Sequence, residues 1–136
     1  MLVKFAPTKI LSNLQENKKN CLVVVGKEPI QISAVKDDIN KSCQNDSIDK
    51  IQIKVENGID LNEVDHTFNN QSLFSSQIIY EFEVSDGIIK KEIKESILKK
   101  IDEHKDSYFI FYFKKDFKEY KKQNWSELLK NLSLTI

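Results

Sequence analysis

The sequence is poor in the residues that most often build ligand sites. Its 136 residues include three glycines, two prolines, two cysteines and one tryptophan. Phosphate-binding loops need several glycines, because the backbone must approach the phosphate closely. Basic and acidic residues each number 21, so the chain has no net charge. The chain therefore lacks the net positive charge that is typical of nucleic-acid-binding domains, and we expect any contact with DNA to be indirect.

Long apolar runs are also missing. Runs such as Cys21–Val25 are far shorter than the roughly 20 residues of a membrane-spanning helix. The first residues, Met1 to Lys4, contain neither the apolar core nor the cleavage site of a secretion signal. We therefore expect a cytoplasmic protein without a membrane segment.

Potential metal ligands and nucleophiles are scattered along the chain. Cys21 opens an apolar run and Cys43 lies near the end of a helical pattern, without Cys-x-x-Cys spacing, which is typical of core thiols. His66 and His104 are isolated in charged helical segments. No side chain that could act as a nucleophile has an identifiable base beside it. The sequence thus predicts no metal, no cofactor and no catalytic residue, and the chain is not expected to be an enzyme.

Apolar patterning predicts a strict alternation of helices and strands. Residues 21–25 and 107–113 are almost wholly apolar, which is typical of strands buried on both faces of a parallel sheet. Further strands are predicted at 48–55, 77–84 and 134–136, with helices in the intervals. Residues 1–136 are therefore expected to form a single α/β domain, a three-layer sandwich around a mostly parallel five-stranded sheet.

The turn after the first strand is where such folds bind phosphates. A P-loop requires a second glycine, a lysine and a hydroxyl at fixed distances from the first glycine. Counted from Gly26, those positions hold Gln31, Ile32 and Ser33, so only the hydroxyl is present. Pro29 also removes a backbone donor. The sequence therefore predicts no functional nucleotide site at this turn.

A pair of large apolar residues, Leu73 and Phe74, interrupts a run of small polar residues between the third helix and the third strand. Adjacent side chains point to opposite faces of a strand and diverge by roughly 100° on a helix, so neither periodicity buries both. An exposed Leu-Phe pair would make a docking plug, because buried aromatic anchors dominate interface energetics. The alternative is that both residues cover the end of the sheet, in a purely structural scaffold.

These features resemble the N-terminal domain of the delta subunit of bacterial DNA polymerase III, the subunit that opens the sliding clamp. The matching residues are Leu22 to Val25 followed by Gly26-Lys27-Glu28-Pro29-Ile30, and above all Ser72-Leu73-Phe74 about seventy residues from the start. The resemblance implies an AAA+-like domain that has lost its nucleotide site. It also implies a binding partner, the beta sliding clamp, with the contact residues Leu73, Phe74, Gln71, Ser72 and Ser75.

The family's proteins continue into a small domain and a collar domain that join the other clamp-loader subunits, gamma/tau and delta prime. The present chain contains neither, so the resemblance implies clamp binding but leaves assembly with those subunits open. A second hypothesis is a small nucleotide-binding or nucleotide-hydrolysing enzyme that uses Gly26, Lys27 and Ser33. The lysines at 90, 91 and 94 are expected to contribute little to any contact with DNA.

Overall fold

In a computed structural model of the chain, the structure describes residues 10–46, 48–69, 77–85, 89–130 and 133–135. The strands are β1 (Cys21–Val25), β2 (Asp49–Val55), β3 (Ile78–Val84), β4 (Tyr108–Phe113) and β5 (Ser133–Thr135). The helices are α1 (Ile10–Glu16), α2 (Pro29–Asp46), α3 (Leu61–Asn69), α4 (Lys91–Glu103), α5 (Phe117–Lys121) and α6 (Asn124–Leu129).

Neighbouring strands of the sheet are parallel, in the order β2-β3-β4-β1-β5. The chain leaves β1 toward one edge of the sheet, and every later crossover runs toward the other edge. Because such crossovers are right-handed, this reversal places α2 on one face and the later helices on the opposite face. Apolar clusters on both faces agree with this placement. The predicted α/β class, with a parallel sheet between two helical layers, is confirmed.

Strand β1 shows why the sheet needs wholly apolar sequences at its centre. Cys21 and Val23 face the cluster formed with α3, α4 and α6, whereas Leu22 and Val24 face the cluster formed with α1 and α2. All four are at most 3% exposed. Burial of an aliphatic side chain contributes about 1.5–3 kcal/mol. A strand with a helix on each face therefore loses the polar alternation of a surface strand.

Strand β4 provides the aromatic centre of the larger cluster. Phe109 and Phe111 stack on β3, with ring centroids 5.2 Å from Tyr80 and 4.7 Å from Phe82, respectively. Aromatic pairs of this kind add about 0.5–1.5 kcal/mol beyond their buried area. Trp125 of α6 is 3% exposed and its ring centroid lies 5.8 Å from that of Phe111, so Trp125 is part of this core.

Helix α4 covers the same face with one apolar stripe. Ile93, Ile97 and Ile101 recur every four residues, and each is at most 2% exposed. Ile89, two residues before the helix, is also buried. This stripe is the surface through which α4 packs on the sheet.

The last helix was predicted as a single segment, and that prediction is wrong. Helix α5 ends at Lys121 and α6 begins at Asn124, with an extended Gln123 between them. Tyr120 and Trp125 both belong to the same buried cluster. Five residues apart on one helix, they would point roughly 140° away from each other. The break turns the chain so that both aromatic side chains reach the core.

Two helices begin at an aspartate that caps the first turn. The Asp60 carboxylate accepts a hydrogen bond from the Asn62 amide at 3.0 Å, and Asp116 accepts one from the Glu119 amide at 2.8 Å. Each bond satisfies a backbone donor that the first turn of a helix leaves without a partner. Within the described ranges, no helix combines the length and the apolar character needed to cross a bilayer.

Candidate functional site

The predicted clamp contacts belong to the segment that joins α3 to β3. They lie outside the residues that the structure describes: Gln71, Ser72, Leu73, Phe74 and Ser75. Their exposure therefore stays a prediction. The described residues nearest to them are Asn69, the last residue of α3, and Gln77, directly before β3.

The end of α3 is fixed by Phe68. This ring is 2% exposed and lies among aromatic side chains, with its centroid 4.7 Å from that of Tyr80 and 6.2 Å from that of Phe109. The ammonium group of Lys100 lies 5.7 Å from the Phe68 ring centroid, a cation–π contact. The helix therefore cannot shift at this end without disrupting the aromatic core.

The start of β3 is fixed by its neighbouring strands. Ile78 pairs with Asp49 of β2, and Ile79 pairs with Lys50 of β2 and Tyr108 of β4. Both isoleucines are buried, on opposite faces of the sheet. The segment that carries Leu73 and Phe74 thus connects two rigid anchor points. Because parallel strands all start at one edge, these anchors lie at the amino-terminal edge of the sheet.

A groove of about 520 Å³ opens at the same edge, and Gln77 is part of its lining. Gln15 donates a 2.7 Å hydrogen bond to the Tyr108 hydroxyl across it. The Asn20 side chain donates to the carbonyl oxygens of Ile101 and His104, which ties the start of β1 to the end of α4. The groove is a polar surface that includes Gln77, the first described residue after the predicted contacts.

The carboxyl-terminal edge of the sheet carries the turn in which a P-loop would lie. The Gly26 amide donates a 3.1 Å hydrogen bond to the Phe113 carbonyl, so it is engaged in the sheet and does not point at a ligand. Helix α2 begins at Pro29, which has no amide hydrogen. The backbone of this turn therefore offers fewer donors than a P-loop does, in agreement with the missing motif.

The side chains around that turn nevertheless come together. Lys27 and Ser33, two residues of the nucleotide hypothesis, line one cavity of about 180 Å³. Lys36 and Lys114 line it as well. Lys114 also lines a neighbouring cavity of about 200 Å³. The structure thus brings together residues that are far apart in the sequence, at the ends of β1 and β4.

A row of charged groups lies behind these cavities, between α2 and the sheet. The Glu83 carboxylate is 2.5 Å from the Lys36 ammonium, and the Glu81 carboxylate is 3.2 Å from the Lys50 ammonium. Glu81 is 1% exposed and also accepts a hydrogen bond from the Tyr112 hydroxyl. A buried carboxylate is tolerated because it is paired with a cation and hydrogen-bonded.

These contacts determine which groups keep their protons. A hydrogen bond from Lys36, with Lys114 and Lys54 nearby, holds the pKa of Glu83 below its usual range. Burial, together with the Glu81 carboxylate, raises the pKa of Tyr112 beyond any physiological pH. Tyr112 therefore remains a hydrogen-bond donor, and Glu83 remains an anion at neutral pH.

The two cysteines do not form a reactive centre. Burial raises the pKa of the Cys21 thiol. It also raises the pKa of the Cys43 thiol, which is only partly buried. A thiol with a raised pKa is a poor nucleophile and a poor metal ligand at neutral pH. Across the described part of the chain, no three side chains of the histidine, cysteine, aspartate or glutamate type are grouped to hold a metal ion.

Sequence reasoning missed the grouping of Lys36, Lys114 and Tyr112. One signal was visible, because Glu81 and Glu83 alternate along a strand that is otherwise apolar. Carboxylates in a central strand require partners, but the sequence does not show which residues provide them.

A scan against protein-family models and a search of curated proteins both returned no match.

Proposed function

We propose that this chain is the AAA+-like domain of a bacterial clamp-loader delta subunit, which binds the sliding clamp and promotes its opening during DNA replication. The observation that carries the proposal is the Ser72-Leu73-Phe74 sequence placed between two rigid anchors, the end of α3 at Phe68 and the start of β3 at Ile78. Anchored ends reduce the entropy lost when a short segment is ordered on a partner.

The topology supports the AAA+-like part of the proposal. Counted from the opposite edge, the strand order is β5-β1-β4-β3-β2, with parallel neighbours. This is the order found in the AAA+ ATPase core. The engaged Gly26 amide and the missing P-loop residues fit a relative of that core that no longer hydrolyses nucleotide. The domain itself is therefore proposed to act by binding and not as an enzyme.

In the proposed mechanism, Leu73 and Phe74 enter an apolar pocket on the clamp, while Gln71, Ser72 and Ser75 flank them. Aromatic and aliphatic anchors of this kind contribute about 2 kcal/mol or more each. Opening requires no hydrolysis by this domain. A domain that binds the open ring more tightly than the closed ring shifts the equilibrium by that difference in affinity.

The proposed partners follow from the same assignment. The beta sliding clamp is the direct partner, and the gamma/tau and delta prime subunits are partners of a longer polypeptide. DNA is contacted only through the assembled loader, which acts in the cytoplasm at the nucleoid. The equal numbers of basic and acidic residues agree with indirect contact to DNA.

The test is binding to the sliding clamp of the same organism, measured by calorimetry for the wild type and for the Leu73→Ala/Phe74→Ala variant. The matched control is Leu61→Ala/Phe117→Ala. It removes the same two side-chain types from the carboxyl-terminal edge, where they are 38% and 36% exposed. We expect the first variant to lose about 4 kcal/mol of binding, roughly a thousandfold, and the control to bind like wild type.

Circular dichroism on all three proteins separates contact from fold. Lost binding with an unchanged spectrum supports the clamp contact. If the Leu73→Ala/Phe74→Ala variant loses its fold together with its binding, Leu73 and Phe74 belong to the core and the chain is a scaffold. If the wild type does not bind the clamp at micromolar concentrations, the proposed function is wrong.

The second candidate is a nucleotide-binding enzyme, favoured by one observation: Lys27 and Ser33 line the same cavity. Its test is thermal denaturation with ATP and Mg²⁺. A ligand at a hundred times its dissociation constant stabilises the folded state by about 2.7 kcal/mol. An unchanged melting temperature at millimolar ATP would exclude this candidate.

A further inference from the structure

The crevice between the ends of β1 and β4 is a feature that the proposed clamp contact does not use. β1 and β4 are adjacent, but the chain leaves β1 for the α2 face and leaves β4 for the opposite face. This divergence is a topological switch point, the place where parallel α/β sheets most often bind ligands. It lies at the opposite edge of the sheet from Asn69 and Gln77, the described residues that flank the predicted clamp contacts in the chain.

Three lysines line the cavity in this crevice. Lys27 follows β1, Lys114 follows β4, and Lys36 reaches it from the second turn of α2. Ser33 adds a hydroxyl. None of the described residues that line this cavity is acidic. Glu83, outside this lining, pairs with Lys36 and also lies near Lys114. The charges of Lys27 and Lys114 thus face the cavity without a carboxylate in its described lining.

The neighbouring groups increase this positive field. Lys54 and Lys114 both lie close enough to Glu83 to lower its pKa, in addition to the hydrogen bond from Lys36. One carboxylate is therefore surrounded by three ammonium groups. The adjoining cavity contains one further acidic residue, Glu56, with Lys54 beside it. The first turn of α2 also directs the positive end of the helix dipole toward the crevice.

From this cavity, its charge and its position we propose that the chain binds a small phosphate-class oxyanion between Lys27, Lys114 and Ser33. The cavity of about 180 Å³ is below the roughly 300–1,000 Å³ of pockets for drug-sized ligands, so it fits a phosphate or pyrophosphate group and not a whole nucleoside triphosphate. Binding depends on lysine side chains, whereas a P-loop depends on its backbone amides.

Two properties follow from this mode of binding. Because ammonium groups provide the positive charge and no carboxylate is present in the described lining, the site does not need Mg²⁺. Because Lys27 and Lys114 are solvent-exposed, the attraction is screened by salt, and the affinity falls as ionic strength rises. The inference does not depend on clamp binding, and either can fail without the other.

The experiment is an NMR titration of the ¹⁵N-labelled chain with pyrophosphate at constant ionic strength, in the presence of EDTA. We expect saturable shifts of the amides around Lys27 and Ser33, with a dissociation constant in the millimolar range. The Lys114→Gln variant removes one exposed ammonium and is expected to bind about fivefold to tenfold more weakly. Lys105→Gln makes the same charge change at the opposite edge and is expected to bind like wild type.

A second series of titrations, with orthophosphate, ADP and adenosine, shows whether the site binds the phosphate group alone or a whole nucleotide. Equal shifts by pyrophosphate and ADP, and none by adenosine, support a site for the phosphate group alone. Shifts by adenosine, or a requirement for Mg²⁺, would assign the crevice to a nucleotide and overturn the proposal. It is also overturned if pyrophosphate causes no saturable shift, or if Lys114→Gln and Lys105→Gln weaken the shifts equally.

Discussion

The buried hydrogen bond between Tyr112 and Glu81 leads to a prediction about stability. Glu81 is 1% exposed on β3, and the Tyr112 hydroxyl of β4 donates to one of its carboxylate oxygens. The other oxygen is 3.2 Å from the Lys50 ammonium. The Tyr112→Phe substitution removes the hydroxyl alone. It leaves a buried, charged oxygen without that donor, which costs about 3 kcal/mol.

That loss is large against the roughly 5–15 kcal/mol by which domains are stable. With a urea dependence of about 2 kcal/mol/M, the midpoint of unfolding falls by about 1.5 M. The matched control is Tyr108→Phe, on the same strand and the same face of the sheet. Its hydroxyl accepts from the neutral, exposed Gln15 side chain, so its removal costs about 1 kcal/mol.

A third variant tests the reasoning itself. The double substitution Glu81→Leu/Tyr112→Phe removes the charge as well as its donor, and an apolar pair of similar shape is often as stable as a buried polar pair. We expect the double variant to be more stable than Tyr112→Phe alone. Equal midpoints for Tyr112→Phe and Tyr108→Phe would refute the argument, because Glu81 would then not depend on that donor.

Two further effects concern acid stability and helix capping. Because the folded-state pKa of Glu83 is lowered, its contribution is fully present above the usual glutamate pKa of about 4.3 and is lost as the pH falls through the lowered value. Urea unfolding at a series of pH values is expected to show a shallower acid limb for Lys36→Gln, and an unchanged limb would contradict this. Asp116→Ala removes the cap of α5 and is expected to cost about 1 kcal/mol in thermal unfolding, whereas Asp116→Asn retains most of it. Equal losses for the two variants would show that the side-chain cap does not stabilise the helix.

The elements of the fold were largely predictable, because each depends on a local pattern. The five apolar residues of β1, the four-residue spacing of Ile93, Ile97 and Ile101, and the capping aspartates all act within a few turns of the chain. The break between α5 and α6 was not predicted. Its cause is the shared burial of Tyr120 and Trp125, which depends on the position of β4 beneath them.

The candidate sites divide in the same way. The Leu73-Phe74 pair is visible in the sequence, because two adjacent apolar residues among small polar ones fit neither helix nor strand periodicity. The three lysines of the crevice are not visible as a group, since Lys27, Lys36 and Lys114 are spread over most of the chain. The sequence likewise indicates that Glu81 needs a partner without identifying Tyr112.

The sequence by itself determined the α/β class, the alternation of helices and strands, and the absence of a P-loop, because these depend on residue types at short spacings. Only the tertiary structure decided the strand order, which places the end of β4 beside the end of β1. The physical reason is that strand pairing is a contact between distant parts of the chain. Its energy comes from two buried faces at once, so no single segment encodes it.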